Sequence, residues 1–299
     1  MFFRNLIIFK LDKLPENLEE QLARGAFVPC PSNQPMSVGF YAPRDKNGAL
    51  VENVGGQRLI AMMTETKVLP SDAVNRAVKE RCESMEKEQG YAPGRKQRRE
   101  VHERVVDEML PNALTKRNTT HAWISDRYLC INAATNTKAE ALINHLRHCL
   151  DEFPVKPLHT ALSPQSAMAD WLAGGEAPAG FTIDRDCELK ACGEEKSTVA
   201  YKHHPLNGDE MSGEVKAHLA GGKLPTKLAM TFNDRISFVL TEKLELKRLA
   251  FLDVLKEEAE KNAEHADEQF DADFAIMTGE LLRLIPSMID ALGGLVAEE

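Results

Sequence analysis

The chain has 299 residues and carries 37 Lys and Arg against 46 Asp and Glu, a formal charge of −9. That balance excludes a uniformly basic nucleic-acid binder, and 43% hydrophobic with 28% charged residues is globular, which excludes a disordered or collagen-like chain. Charges at Arg4 and Lys10 interrupt the apolar start, and no stretch reaches the roughly 20 apolar residues of a membrane helix, so a soluble, cytoplasmic protein is expected. The six cysteines are scattered without a tight framework, as reduced thiols would be.

Residues 1–10 read as a strand, and Leu14, Leu18 and Leu22 recur at helical spacing ahead of Gly25. Pro29, Pro31, Pro35, Pro43 and the Gly55-Gly56 pair make residues 29–56 mostly loop around a short strand at 38–41, and extended structure returns over 57–69. After Pro70, Ser71 and Asp72 offer caps for a helix to Gln89, which Gly90 and the Pro93-Gly94 turn end; a second helix runs over 95–110. The two form a helical hairpin inserted between strands, because 122–125 and 128–132 look like a β-hairpin turning at Asp126-Arg127.

An amphipathic helix covers 137–150, and a short helix around Trp171 precedes a linker at 174–180. Beyond it, 181–192, 198–203, 224–232, 235–240 and 244–251 read as strands, with a helix over 209–219 and a hairpin turn at Asn233-Asp234. Residues 253–292 close the chain as helix, bent at Pro286. The expected class is α+β with mostly antiparallel sheets. Its expected division is a central domain of 1–75 and 118–175, a helical tip of 76–117 and a β-rich base of 176–299.

Signatures of catalysis are incomplete. His102-Glu103 opens like a zinc-peptidase helix, but Val106 stands where the second histidine belongs. Gly221-Gly222-Lys223 lacks the spacing of a phosphate loop, and Leu224 replaces the magnesium-binding hydroxyl. Asp271 and Asp273 lack the remaining ligands of a calcium loop and read as the solvent face of a helix start. Cys187, Cys192, His203 and His204 have poor zinc spacing, since adjacent histidines on a strand point to opposite faces. A metal-dependent enzyme built on those four is a minor alternative; no cofactor is expected.

Charge segregation is the stronger signal. Residues 76–117 hold eleven bases against eight acids, with Arg95, Lys96, Arg98 and Arg99 in five positions, whereas 257–299 hold twelve acids against two bases. A projecting hairpin with a basic end neutralises phosphates through counterion release without reading bases. Lys116 and Arg117 close this set, and Lys202, His203, His204, Lys216, Lys223 and Lys227 form a second one over a strand end, a helix and the next strand. The plain alternatives are a solvated surface and edge lysines that prevent aggregation; an acidic C-terminal helix that docks a basic partner is a further alternative.

The order of Phe3-Arg4-Asn5-Leu6, Ala26-Phe27-Val28-Pro29-Cys30, Lys67-Val68-Leu69-Pro70, Leu110-Pro111, Trp123-Ile124, Leu158, Thr226-Lys227-Leu228-Ala229, Phe270-Asp271-Ala272-Asp273-Phe274 and Met277-Thr278-Gly279-Glu280-Leu281 resembles the RdgC family of recombination-associated DNA-binding proteins. The resemblance spans essentially the whole chain. It implies a non-enzymatic protein whose horseshoe protomers form a ring-shaped homodimer around duplex DNA, binding without sequence specificity and also meeting single-stranded DNA. It further implies a nucleoid-associated protein that antagonises RecA by occupying DNA. Leu110 and Leu114 would contribute to the dimer contact at the tip, Leu114 where relatives can carry an aromatic residue. Lys202, His203 and His204 would fall where the family places polar gate residues in the base.

Overall fold

The computed structural model describes residues 1–44, 48–191, 197–204, 206, 209–252, 255 and 265–296. Seven strands build the first sheet: β1 (Ile7–Leu11), β2 (Met36–Tyr41), β3 (Val51–Val54), β4 (Gln57–Val68), β5 (Leu114–Ile124), β6 (Tyr128–Ile131) and β7 (Val155–Pro157). Their order is β2-β4-β5-β6-β1-β7, with β3 also on β4, and every pairing is antiparallel. Period-two alternation divides its faces. Ile60, Met62, Ala122, Ile124, Leu129 and Ile131 point to one side, where α1 (Leu18–Ala23) and α4 (Asn136–Cys149) cover them with Leu22, Leu142 and Leu146. Leu59, Trp123 and Cys130 point to the other side and join the larger core.

Between β4 and β5 the chain leaves the sheet as the expected helical hairpin, α2 (Ser71–Gln89) and α3 (Arg95–Met109). A small core of Val74, Val101 and Val105, flanked by Leu69, Val78, Met85 and Met109, holds the two helices together. The expected caps are displaced: Pro70 occupies the N-cap position of α2, so Ser71 and Asp72 lie inside its first turn and no side chain caps it. Gly90 ends the helix with φ of 81°, the left-handed conformation that glycine adopts without steric cost.

The second sheet has the order β12-β11-β10-β8-β9, from β8 (Phe181–Ala191), β9 (Thr198–Tyr201), β10 (Lys223–Phe232), β11 (Ile236–Thr241) and β12 (Leu246–Phe251). Asn233 and Asp234 make its tight hairpin with φ of 48° and 52°, both left-handed as a type I′ turn requires. α5 (Pro164–Gly174), which precedes the 174–180 linker, packs with α6 (Asp209–Ala220) and on β10 and β11, so its contacts group it with the elements after the linker.

α7 (Ala266–Ala291) continues through Pro286 and buries Phe274, Met277, Leu281, Leu284, Ile285 and Met288 in the larger core. Residues 253, 254 and 256–264 of the helix expected over 253–292 lie outside the described residues. The opening strand serves both sheets. Ile7–Leu11 belongs to the first, while Leu6 exchanges backbone hydrogen bonds with Leu246 of β12 at 2.7 and 3.0 Å, and Leu249 N–H donates to Arg4 C=O at 2.8 Å. The molecule is thus α+β with two antiparallel sheets and a long C-terminal helix.

Two readings of the sequence are corrected. Asp271 and Asp273 are half-buried rather than free on a solvent face. Asp271 accepts a hydrogen bond from Arg44, whose guanidinium stacks 4.4 Å from the Phe270 ring, and Asp273 meets the Met1 ammonium at 2.5 Å. The second is the placement of the histidine pair: β9 ends at Tyr201, so His203 and His204 are not on a strand, and Cys187 is buried with its thiol pushed up to about 12 by desolvation. Cys192 lies outside the described residues.

Candidate nucleic-acid interface

The arm set sits where the sequence puts it. Arg95, Lys96, Arg98 and Arg99 are exposed at the start of α3, and its first turn has no acidic residue. Helix N-termini carry partial positive charge and favour acids, so cations here work against local helix stability and add to one positive potential. Lys96 and Arg99 reach Glu100 and Glu103 at 4.0 and 3.3 Å, but these are exposed i,i+4 pairs in the weaker orientation and neutralise little. Arg98 differs: its Nε donates to Pro93 C=O at 3.1 Å and braces the turn.

Lys116 and Arg117 belong to β5, not to the hairpin, and they part company because neighbouring strand residues face opposite ways. Lys116 is exposed on the face that carries Leu114. Arg117 turns to the other face, donates from Nε to Glu65 at 2.8 Å and lies over Phe27. Glu65 is buried, at 3% exposure, and its second oxygen accepts the Cys30 N–H at 2.6 Å. That backbone hydrogen bond, followed by Arg117, holds the carboxyl below its ordinary range. Arg117 is therefore committed to the protomer.

In the second set, Lys202 and Lys227 line one concavity together with Asp186, Tyr201 and Arg248. Asp186 organises it by accepting the His203 N–H at 3.0 Å and Arg248 Nη1 at 3.3 Å, which keeps its carboxyl below the usual range. His203 and Arg248 both have left-handed backbones, φ 59° and 51°, a strained state for non-glycine residues that this shared carboxylate supports. His204 N–H donates to Arg185 C=O. Lys216 is exposed on α6, and Lys223 meets His218 Nδ1 at 3.1 Å; neither lines the concavity.

The outer face of the second sheet adds cations that sequence reasoning missed. Lys190, Lys243 and Lys247 join Lys227 in a cleft of about 390 Å³ that reaches residues 134–136, just before and at the start of α4. Glu188 and Glu245 share it and bind Lys227 and Lys247, each at 2.9 Å, so the cleft is mixed in sign. Alternation along β8 and β12 was the available signal: Cys187 and Leu189 point inward while Glu188 and Lys190 point out.

Leu110 and Leu114 separate just as clearly. Leu110 is buried in its own protomer, whereas Leu114 is 81% exposed beside Val68, its partner across the β4–β5 ladder. The acidic C-terminal segment spends several of its charges internally, on Arg44, on Met1 and, through Glu280, on Arg235 at 3.0 Å. Among the described residues, no group of three or more His, Cys, Asp or Glu side chains converges as a metal site, and no helix is long and apolar enough to cross a membrane.

These features define a two-sheet α+β protein with a run of exposed cations on an inserted helical arm and a mixed-sign cleft on the outer face of the second sheet. Residues 1–295 match the family model described as "Putative exonuclease, RdgC". The chain is 62% identical over 305 residues to the recombination-associated protein RdgC of Dechloromonas aromatica, covering 100% of this chain and 99% of that one. It is 44% identical to the same protein of Cupriavidus pinatubonensis over 98% of this chain and 99% of that one, and 42% identical to that of Janthinobacterium over the full length of both. The chain belongs to the RdgC family of recombination-associated proteins.

Proposed function

We propose that this protein is a non-catalytic, sequence-independent DNA-binding protein that encircles duplex DNA as a ring-shaped homodimer and restrains RecA-dependent recombination by occupying the DNA. The cytoplasm, at the nucleoid, is where it works. The observation that carries the reading is the run of exposed cations opening α3, where helix stability alone favours acids. Lysines and arginines on a rigid arm position a phosphate backbone and identify no base, so sequence independence follows from the chemistry. The mixed-sign cleft of the second sheet is a second, weaker contact, because Glu188 and Glu245 hold two of its lysines.

The test is titration with unrelated duplexes over a range of salt, comparing the wild type with an Arg95→Ala/Lys96→Ala/Arg99→Ala variant. Arg98 is left in place because it braces the turn. Each lost phosphate contact lowers the logarithmic salt slope by about 0.9, so the variant's slope falls by about 2 to 3 per arm. An unchanged affinity and slope moves the contact off the arm; absence of duplex binding by the wild type at low salt refutes the function. Release of nucleotides from labelled duplex with Mg²⁺ would establish the exonuclease chemistry in the family description and overturn the non-catalytic assignment.

A further inference from the structure

The end of the arm carries an aromatic side chain that neither the fold nor phosphate binding requires. Tyr91 is 61% exposed in the turn between α2 and α3, its ring packs on no other ring and its hydroxyl makes no hydrogen bond among the described residues. Large apolar side chains at such a tip gain nothing in stability from their exposure. The turn itself is held rigidly. Gly90 N–H donates to Glu86 C=O at 2.9 Å, Gln89 Nε2 to Tyr91 C=O at 2.9 Å, Gly94 N–H to Gln97 Oε1 at 3.0 Å and Arg98 Nε to Pro93 C=O at 3.1 Å, with the Pro93 ring buried. Every one of these bonds uses Tyr91's backbone or its neighbours and none uses its side chain, so the ring is presented on a fixed platform.

We infer that Tyr91 is a stacking platform for an unpaired base, with Arg95, Lys96 and Arg99 of the same tip holding the phosphates beside it. The inference rests on the DNA-binding reading and deepens it: the arm grips unpaired strand as well as duplex backbone. A base-paired helix hides its π-faces inside the stack, whereas a single strand offers one at every nucleotide, and stacking on an aromatic ring tolerates any base. Charge selects this occupant over a second copy of the chain. Under twofold symmetry a contact between the α2–α3 turns of two copies through Tyr91 brings the cations of both arms together, and like charges oppose it. An anionic, ring-bearing partner meets both features at once.

The experiment uses the full chain, wild type and Tyr91→Ala and Tyr91→Phe variants, against three labelled probes of equal length: a thymidine oligomer, an abasic strand with the same phosphates, and a blunt duplex. Tyr91→Ala weakens binding of the thymidine oligomer by about 5- to 150-fold, the worth of one stacked base. Tyr91→Phe retains the wild-type affinity, and neither variant alters binding of the abasic strand or the duplex. A 2-aminopurine in the oligomer is quenched by the wild type and not by Tyr91→Ala. Equal binding of the thymidine oligomer by wild type and Tyr91→Ala overturns the inference, and so does equal weakening on the abasic strand. A shift of Tyr91→Ala to a smaller species in sedimentation also overturns it by assigning the ring to self-association. Failure of the wild type to bind any of the three probes refutes the DNA-binding reading instead.

Discussion

Glu65 is the residue on which the root of the arm depends. It takes two donors into a site with 3% exposure, the Cys30 N–H that fixes the loop ahead of β2 and the Arg117 guanidinium on β5. Glu65→Ala removes a charged acceptor and leaves the Cys30 N–H without its partner, a loss of stability read as a lower midpoint in urea unfolding. Arg117→Ala acts through the same pair and lowers stability, while Lys116→Ala leaves stability unchanged and weakens DNA binding; this division tells structural cations from contacting ones. Sequence composition ranked Lys116 and Arg117 together, because adjacency along the chain conceals opposite faces of a strand. The same blindness affected Asp271 and Asp273, whose partners Arg44 and Met1 lie more than 200 residues away.

His121 gives the residue scale its pH dependence. It lies on the β5 face that carries Trp123, and burial lowers its pKa from 6.5 to about 4. A depressed histidine is neutral when folded and takes up a proton when unfolded, so it costs nothing above pH 6.5. Below that, it destabilises the fold progressively until about pH 4, by about 3 kcal/mol in total. The lowered carboxylates, Glu65 and Asp186 among them, lose their stabilising contribution at still lower pH, as it falls from their unfolded values through the folded ones. Comparing urea midpoints of wild type and His121→Gln at pH 7 and pH 4.5 separates the two. The gap between the proteins shifts in favour of the variant at pH 4.5, and an identical pH response in both rejects the assignment.

At the scale of elements, the arm is a domain in miniature with a core of its own. Three buried valines and a fringe of half-buried side chains hold α2 on α3, against the many residues that close the two sheets. Its local stability is accordingly the lower one. Val101→Ala deletes two methyl groups there, about 1 to 2 kcal/mol with the cavity, and raises amide exchange through α2 and α3 while β8, β10 and β11 keep theirs. Exchange that rises equally in the sheet would show the arm and body to unfold as one. The hairpin was legible because Pro70, Gly90, Pro93 and Gly94 punctuate it. β3 and β7 were not, since four and three residues show no usable alternation and are held by the strands beside them.

At the scale of the molecule, what the sequence concealed was the junction. Residues 1–10 read as a strand, which the structure forms only from Ile7 with a bridge at Leu6, and nothing local shows that Arg4 and Leu6 bond to β12 while Ile7 onward pairs with β6, because pairing across about 240 residues is a tertiary choice. The chain order of short motifs did carry the family, and the proposed ring turns on how that family's protomer would close. Leu114 at 81%, Val68 at 46% and Met36 at 50% exposure lie on one face at the distal end of the first sheet, beyond the cover of α1 and α4, with the ladder register setting all three on the same side. Leu110 is already buried and adds nothing to such a contact. A ring closed at the tip and the base keeps its dimer when the tip alone is broken, so mass is a poor reporter of Leu114. Topology is a better one. A closed ring on covalently circular duplex has no end to leave by, whereas salt strips it from linear duplex as phosphates regain counterions. Leu114→Asp places two carboxylates across the twofold and opens the tip, so it dissociates from circular DNA in high salt as readily as from linear. The wild type is retained on the circle alone, and retention of Leu114→Asp there would place ring closure elsewhere.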